Sequence, residues 1–434
     1  MNWRQHYTSH LTTAAEAVKL IASGNRVALG HACADPTELV EAMVANREAY
    51  RDVEILHMLP MSKAPYCAPG MEPYFRHNSI FAGGSTRKAI NEDRADFTPV
   101  FFHEFPRLIR ELLVPDVTLI HVSPPDEEGY CSLGVAVDYT KAAADAAKIL
   151  IAQVNPQMPH ALGDCLVHVT RMDAIIEVDR PIIELGPPSL TDVEMGIGEN
   201  CASLIRDGDT LQLGIGAIPD AVLRFIKDKK ELGIHTEMFS DGVVELIESG
   251  VVTNTRKTLH KGQSVACFLM GTQRLYDYVH KNPAVHMAPV DYTNNPAVIG
   301  QNDNLVSINS CIQVDLQGQV VSSSAGLKQI SAIGGQADFV RGAAMSKGGR
   351  AMIAIPSMAK GGISKIIPFI DEGSSVSTLR EDVHHIVTEY GVADLWGQTL
   401  RERARRLIAI AHPDVRDQLA EEFGRRFPNA RRGD

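Results

Sequence analysis

One carboxylate, Glu237, stands where an apolar run containing Leu232 and Ile234 hands over to the helix-patterned Val243, Val244, Leu246 and Ile247. Open α/β sheets bind ligands at the carboxyl ends of their strands, and a strand-to-helix junction is such an end. An ionised glutamate there is either an ordinary solvated surface group or a nucleophile toward an activated acyl group. The turn Ser240-Asp241-Gly242 follows, with Asp241 read as the helix cap.

Three further stretches have residue types that can do chemistry. "GIGAIP", Gly214 to Pro219, departs from a dinucleotide fingerprint because Pro219 replaces the third glycine. It is read either as tight strand–helix packing or as a cradle of amides for a thioester oxygen or pantetheine. In "IGGQADFVRGAAMSKGGR" the pair Gly334-Gly335 can expose N–H groups to an oxyanion, whereas Gly348-Gly349 reads as a turn. "VSPPDEEGYCSLG", with Asp126, reads as a solvated turn. His103-Glu104 lacks the second histidine of HExxH, adjacent His384 and His385 point apart on a strand, and no Walker loop or GxSxG elbow occurs. No metal site is read from the sequence.

The elements that must position these residues alternate. Strand-like "RVALG", "DVTLIHVS", "KILIAQVN", "RPIIELG", "TLQLGIG" and "RAMIAIP" are separated by helix-patterned segments, the rhythm of a parallel-sheet α/β architecture. "LIASGNRVALG", Leu20 to Gly30, resembles "LIRDGDTLQLG", Leu204 to Gly214, which implies two related α/β domains. In both copies the strand enters a small-residue loop, "GHACADP" or "GIGAIP", whose proline (Pro36 or Pro219) suits a first helical position. If the next strands also correspond, an apolar residue near Met58 occupies the place of Glu237, so one copy alone has the carboxylate. The expected domains are 1–187 and 188–434, the second holding Glu237, with the seam in "RPIIELGPPSLTD".

The 434 residues, 44% hydrophobic with a formal charge of -11, fit a globular protein and argue against a nucleic-acid binder. Seven dispersed cysteines without a CxxC fit reduced thiols in a cytoplasm. No apolar run approaches the roughly 18–20 residues of a membrane span, and the N-terminus reads as a helix with Thr13 and Glu16 in capping-box spacing.

Taken in order, "GHACADP", "GGSTRKAI", "VSPPDEEGYCSLG", "IAQVNPQMP", "GIGAIPDAV", "HTEMFSDGVVELIESG", "GGQADFVRGA", "VTEYGVADL" and "IAHPDVRDQL" resemble the acetyl-CoA hydrolase/transferase family, in its 4-hydroxybutyrate CoA-transferase branch. The resemblance spans nearly the whole chain. It implies a class I CoA-transferase of two related open α/β domains with the active site at their interface. Carried onto this sequence, the catalytic glutamate is Glu237, and the CoA-binding loop is Gly214, Ile215, Gly216, Ala217 and Ile218. A second CoA-contacting loop includes Gly334 and Gly335, with Ile312 and Lys360 as further CoA contacts. Coenzyme A enters as acyl-CoA substrate, an acyl-glutamyl anhydride and then a glutamyl-CoA thioester form, and the acceptor is a short-chain carboxylate such as 4-hydroxybutyrate or butyrate. A homodimer is implied, with no nucleic-acid or membrane partner. The alternatives are an acyl-CoA hydrolase using the same glutamate, or a transferase for a small dicarboxylate such as succinate or itaconate. The dicarboxylate reading needs cations such as Arg76, His77, Arg87 or Lys88.

Overall fold

The computed structural model of the protein describes residues 2–428. The chain divides into two compact units. The first holds residues up to Gly186 together with Thr236–Val244 and Gln263–Asn295; the second holds Pro187–His235, Glu245–Gly262 and the chain from Pro296 onward. Against the expected 1–187 and 188–434, the first passage between units falls after Gly186, and the short segment with Glu237 groups with the N-terminal unit.

The first unit is built on a seven-stranded parallel sheet. Its strands are β1 (Arg26–Leu29), β2 (Val53–Leu56), β3 (Phe75–Ser79), β4 (Ala95–Phe97), β5 (Val117–Val122), β6 (Ile149–Val154) and β7 (Ala174–Glu177). Their spatial order is β4-β3-β2-β1-β5-β6-β7. All six residues of β5 are buried, as a parallel strand covered on both faces requires. The core packs Val27, Leu29, Ile55 and Leu119 of these strands against Leu39 and Met43 of helix α1 (Thr37–Ala45). Chain order reverses direction between β1 and β5, which makes the loops leaving those strands the switch point where such sheets bind ligands.

The second unit repeats the plan. Strands β8 (Thr210–Leu213), β9 (Gly233–Ile234), β12 (Leu305–Ser310), β13 (Arg350–Ala354), β14 (His385–Thr388) and β15 (Gly391–Asp394) lie in the order β9-β8-β12-β13-β14-β15. Only the β14–β15 pairing is antiparallel. The switch point falls between β8 and β12. The remaining strands of the numbering, β10 (Met238–Phe239) and β11 (Phe268–Leu269), pair in parallel within the first unit.

Four local expectations differ in detail. "RPIIELG" forms no strand; Ala174–Glu177, just before it, takes that place, since Pro181 lacks the N–H a ladder needs. Pro36 is the N-cap of α1 rather than its first residue, and Pro219 is the third residue of helix α2 (Ala217–Phe225). Asp241 does not cap helix α3 (Asp241–Glu248); it is the first helical residue. Its carboxylate instead accepts from the N–H and hydroxyl of Thr272, both at 2.8 Å, at the start of helix α4 (Gln273–Val279). Thr13 accepts from the N–H of Glu16 at the head of the short helix Ala14–Ala17. All seven cysteines are buried and none is disulfide-bonded.

Candidate active site

Glu237 is held from both ends of its residue. Its backbone carbonyl accepts from the N–H of Cys267 at 3.0 Å, the N–H of Phe268 at 3.2 Å and the Cys267 thiol at 3.2 Å. Burial, and then the negative charge of Glu237, push that thiol well above its ordinary pKa, so Cys267 stays protonated and donates. The Glu237 side chain is half-buried, and its Oε2 accepts from Asn294 Nδ2 at 2.6 Å. Asn294 is fully buried and closes helix α5 (Val290–Thr293). A carboxylate only accepts, so the bond orients the amide and turns Asn294 Oδ1 away; that oxygen meets no donor.

This frame continues through buried polar groups of the same unit. The carbonyl of Cys267 accepts from the N–H groups of Val137 and Asp138, and the carbonyl of Asp138 accepts from Val290 N–H at 3.3 Å, tying α5 to it. The Asp138 carboxylate accepts from His31 Nδ1 at 2.8 Å, with both side chains wholly buried. The His31 ring meets the Phe268 ring edge-on, 4.9 Å between centroids. Sequence reasoning singled out neither Asn294 nor this pair. They lie 57 and more residues from Glu237, and the sole hint was His31's place in "GHACADP".

In the second unit the predicted loop Gly214–Ile218 leaves β8 at the switch point. Helix α2 begins inside it: Gly216, at φ +110°, is the N-cap, and Ala217 and Ile218 are the first helical residues. Their N–H groups have no partner in the first turn, and Pro219 has none to offer, so the donors converge on the glycine end. Ile215 is 44% exposed, and a Cβ at Gly216 would meet nothing within 4 Å. Gly334 (φ +52°) and Gly335 immediately precede helix α6 (Gln336–Met345), with Gly335 as N-cap. That helix connects β12 to β13 and so starts at the same carboxyl edge of the sheet. Ile312 follows β12 there, its N–H bonded to Val321 O at 2.8 Å. Lys360 is exposed at the tip of a short hairpin that follows β13, next to Gly361 and Gly362.

The four cations considered for a dicarboxylate acceptor are engaged otherwise. Arg76 binds Asp96 at 2.5 Å and Asp93 at 3.3 Å, Arg87 donates to Ala82 O, and Lys88 lies 3.8 Å from Glu92. Burial holds His77 down at about 4, which leaves it neutral. Among the described residues no group of three His, Cys, Asp or Glu is arranged to hold a metal, and no helix is long and apolar enough to cross a membrane.

The chain matches two family descriptions: the acetyl-CoA hydrolase/transferase N-terminal domain over residues 1–185 and the corresponding C-terminal domain over residues 271–423. Glu237 falls between the matched stretches. The chain is 58% identical to the 4-hydroxybutyrate coenzyme A transferase of Clostridium kluyveri, covering 98% of this chain and all of that protein. It is 44% identical to the succinyl-CoA:cyclohexane-1-carboxylate CoA transferase of Geobacter metallireducens, over 97% of this chain and 96% of that one. Among solved structures, 4-hydroxybutyrate CoA-transferase from Porphyromonas gingivalis is 46% identical and superposes with a TM-score of 0.86, covering 98% of this chain and 100% of that chain. With both halves matched in order and the identity sustained end to end, the protein belongs to the acetyl-CoA hydrolase/transferase family and is an enzyme that transfers CoA.

Proposed function

We propose that the enzyme moves CoA from a donor such as acetyl-CoA or succinyl-CoA to 4-hydroxybutyrate or a related short-chain acid, by a ping-pong reaction through a thioester on Glu237. The observation that carries the reading is the Glu237–Asn294 bond: a half-buried carboxylate fixed at 2.6 Å by a buried amide is a positioned reagent rather than a solvated surface group. The identity to a 4-hydroxybutyrate transferase supports the choice of acid.

In this mechanism a Glu237 oxygen attacks the thioester carbonyl, the C–S bond breaks, and CoA leaves as thiolate from an acyl-glutamyl anhydride. The thiolate then attacks the glutamyl carbonyl, releasing the first acid and leaving CoA on Glu237. The second acid takes the CoA by the reverse steps. Activated bond replaces activated bond, so thioester energy is retained. Asn294 orients the carboxylate before attack, and its donor faces an oxygen that loses charge in the anhydride. The unpaired N–H groups at the head of α2, with Gly334, Gly335, Ile312 and Lys360, are assigned to CoA. Buried cysteines fit a reducing cytoplasm, and a homodimer is the assembly the reading carries.

Incubation with acetyl-CoA, followed by peptide mass mapping, is expected to place a CoA-sized adduct on the peptide containing Glu237. Initial rates with an acceptor acid should give the parallel double-reciprocal lines of ping-pong kinetics. An adduct on another residue removes the nucleophile assignment, and CoA release that needs no acceptor acid assigns a hydrolase instead.

A further inference from the structure

The strand that bears Glu237 is bonded to its neighbour at every second residue. The carbonyl of Glu237 accepts from the N–H of Phe268 at 3.2 Å, and the carbonyl of Phe239 accepts from the N–H of Met270, also at 3.2 Å. The N–H between those donors, on Leu269, faces the other way and reaches Val135 O at 2.8 Å. The next donor on the Glu237 side is the N–H of Thr272. By the spacing of the ladder its partner would be the carbonyl of residue 241, but Asp241 is already the first residue of α3 and that carbonyl belongs to the helix. The Asp241 side chain takes its place: Oδ2 accepts from the Thr272 N–H and Oδ1 from the Thr272 hydroxyl, both at 2.8 Å. One carboxyl thus supplies the last rung of a ladder that starts at Glu237.

Both neighbours of this contact are adapted to it. Thr272 is the N-cap of α4, yet its hydroxyl makes no capping bond, because it is turned to Asp241. Glu184 Oε2 instead accepts from the first helical N–H, that of Gln273, at 3.0 Å. Gly271 leaves the room: a Cβ there would stand 2.5 Å from Asp241 Oδ2. We propose that Asp241 is a positioning residue for the transfer, fixing the strand end behind Glu237 so that it governs the rate of attack on the thioester and not the binding of CoA. The inference rests on Glu237 being the nucleophile of a CoA transfer. Only Met238, Phe239 and Ser240 separate the two acids, and β10 is just two residues long, so few other bonds can hold this segment in register. With the last rung removed the strand end can shift, and a misplacement of the attacking oxygen by roughly 1 Å costs about 100-fold.

The test separates the chemical step from binding. Mixing the enzyme with acetyl-CoA, quenching over time and mapping peptides by mass gives the rate at which the CoA adduct on Glu237 appears, and its dependence on acetyl-CoA gives the half-saturating concentration. Asp241→Ala is expected to lower the limiting rate about 10- to 100-fold and to leave half-saturation in place. Asp241→Asn is expected to recover most of that rate: its oxygen keeps the Thr272 N–H, and its amide donates to the Thr272 hydroxyl, which can accept as well as donate. Thr272→Val removes one of the two bonds without taking a cap from α4, and should show a smaller loss of the same kind. An Asp241→Ala enzyme whose urea midpoint falls while its limiting rate stands overturns the proposal, since a merely structural contact would behave that way. So does a loss that Asp241→Asn fails to recover, or one that appears in half-saturation alone. If Asp241→Ala does not fold, Thr272→Val decides by the same readings. If the wild type forms no adduct on Glu237, the transfer reading fails first; if it does and Asp241→Ala forms the adduct as fast, only this inference fails.

Discussion

The two loops that leave the first strands of the duplicated sheets start from the same pattern and end as opposites. After β1, the residues from His31 to Asp35 are all buried, and His31 is locked to Asp138. A Cβ on Gly30 would lie 2.7 Å from the carbonyl oxygen of Ala34, so the loop is closed on itself. After β8, Ile215 is exposed, Gly216 has open space around it, and the helix begins within the loop so that its donors face outward. The first loop is one residue longer before its proline and is made of side chains; the second is made of backbone. A duplicated switch point is thus a packed wall in one copy and an open glycine turn at a helix head in the other. The strands beside them diverge in the same way. The ladder pairs Val27 with Ile55 and Leu211 with Ile234; three residues on from the latter of each pair stand Met58 and Glu237. The buried methionine and the half-buried glutamate are counterparts.

The largest effect should come from making the second copy resemble the first at that position. Glu237→Gln removes the attacking oxygen while keeping the shape, and turnover is expected to fall on the order of 10^4-fold or more, with no CoA adduct by mass spectrometry. Glu237→Asp should still lose about 100-fold, because shortening the arm misplaces the oxygen by roughly 1 Å. Normal turnover by either variant would reduce the Met58–Glu237 contrast to an accident of sequence.

Next in size is the cost of the packed loop. Burial holds the Asp35 carboxyl up at about 7, because no donor in good geometry compensates it and Ser62 lowers it by less than burial raises it. In the unfolded chain the group ionises near 4, so between those values the unfolded state loses its proton first. This group therefore favours unfolding progressively as pH rises from about 4 to about 7, to the extent of a few kcal/mol. The buried His77 and His121, both held near 4, slope the other way up to about 6.5. The difference between wild type and Asp35→Asn isolates the carboxyl. In urea titrations the variant should gain stability relative to wild type across that window and hold the gain at pH 8. A difference that stays flat from pH 4 to 8 would mean that Asp35 is solvated.

Much of this contrast was legible in the residues. The repeat of "RVALG" in "TLQLG" announced the duplication, and the junction after Ile234 marked Glu237, because both are patterns within about ten residues. The same holds for the glycine loops, whose strand–loop–helix order fixes the sheet edge they occupy. Long-range contacts were not legible. Nothing in the spacing reveals that Thr236–Val244 and Gln263–Asn295 group with the first unit, that Asn294 reaches back to Glu237, or that the Asp138 carboxylate accepts from His31 Nδ1. Pro219 shows the limit of local rules: its missing N–H is tolerated anywhere in a helix's first turn, so the proline marks the turn and not the residue at which it starts.

The smallest effects should separate the two loops by kind. Gly30→Ala forces a methyl against the Ala34 carbonyl, a backbone atom that yields only if the loop shifts; the expected loss is about 1–3 kcal/mol of stability, read as a lower urea midpoint, with little change in the KM for acetyl-CoA. Gly216→Ala meets no atom, but its φ of +110° is a conformation that residues with a side chain avoid. The exposed loop can relax at small global cost by turning its N–H groups, so the urea midpoint should hold while the KM for acetyl-CoA rises about tenfold. The two glycines stand two positions apart in the shared strand–loop pattern, yet one substitution should register in folding and the other in binding. If Gly216→Ala instead lowers the midpoint and spares KM, the loop after β8 is packing like its counterpart, and the cradle must be sought at Gly334 and Gly335.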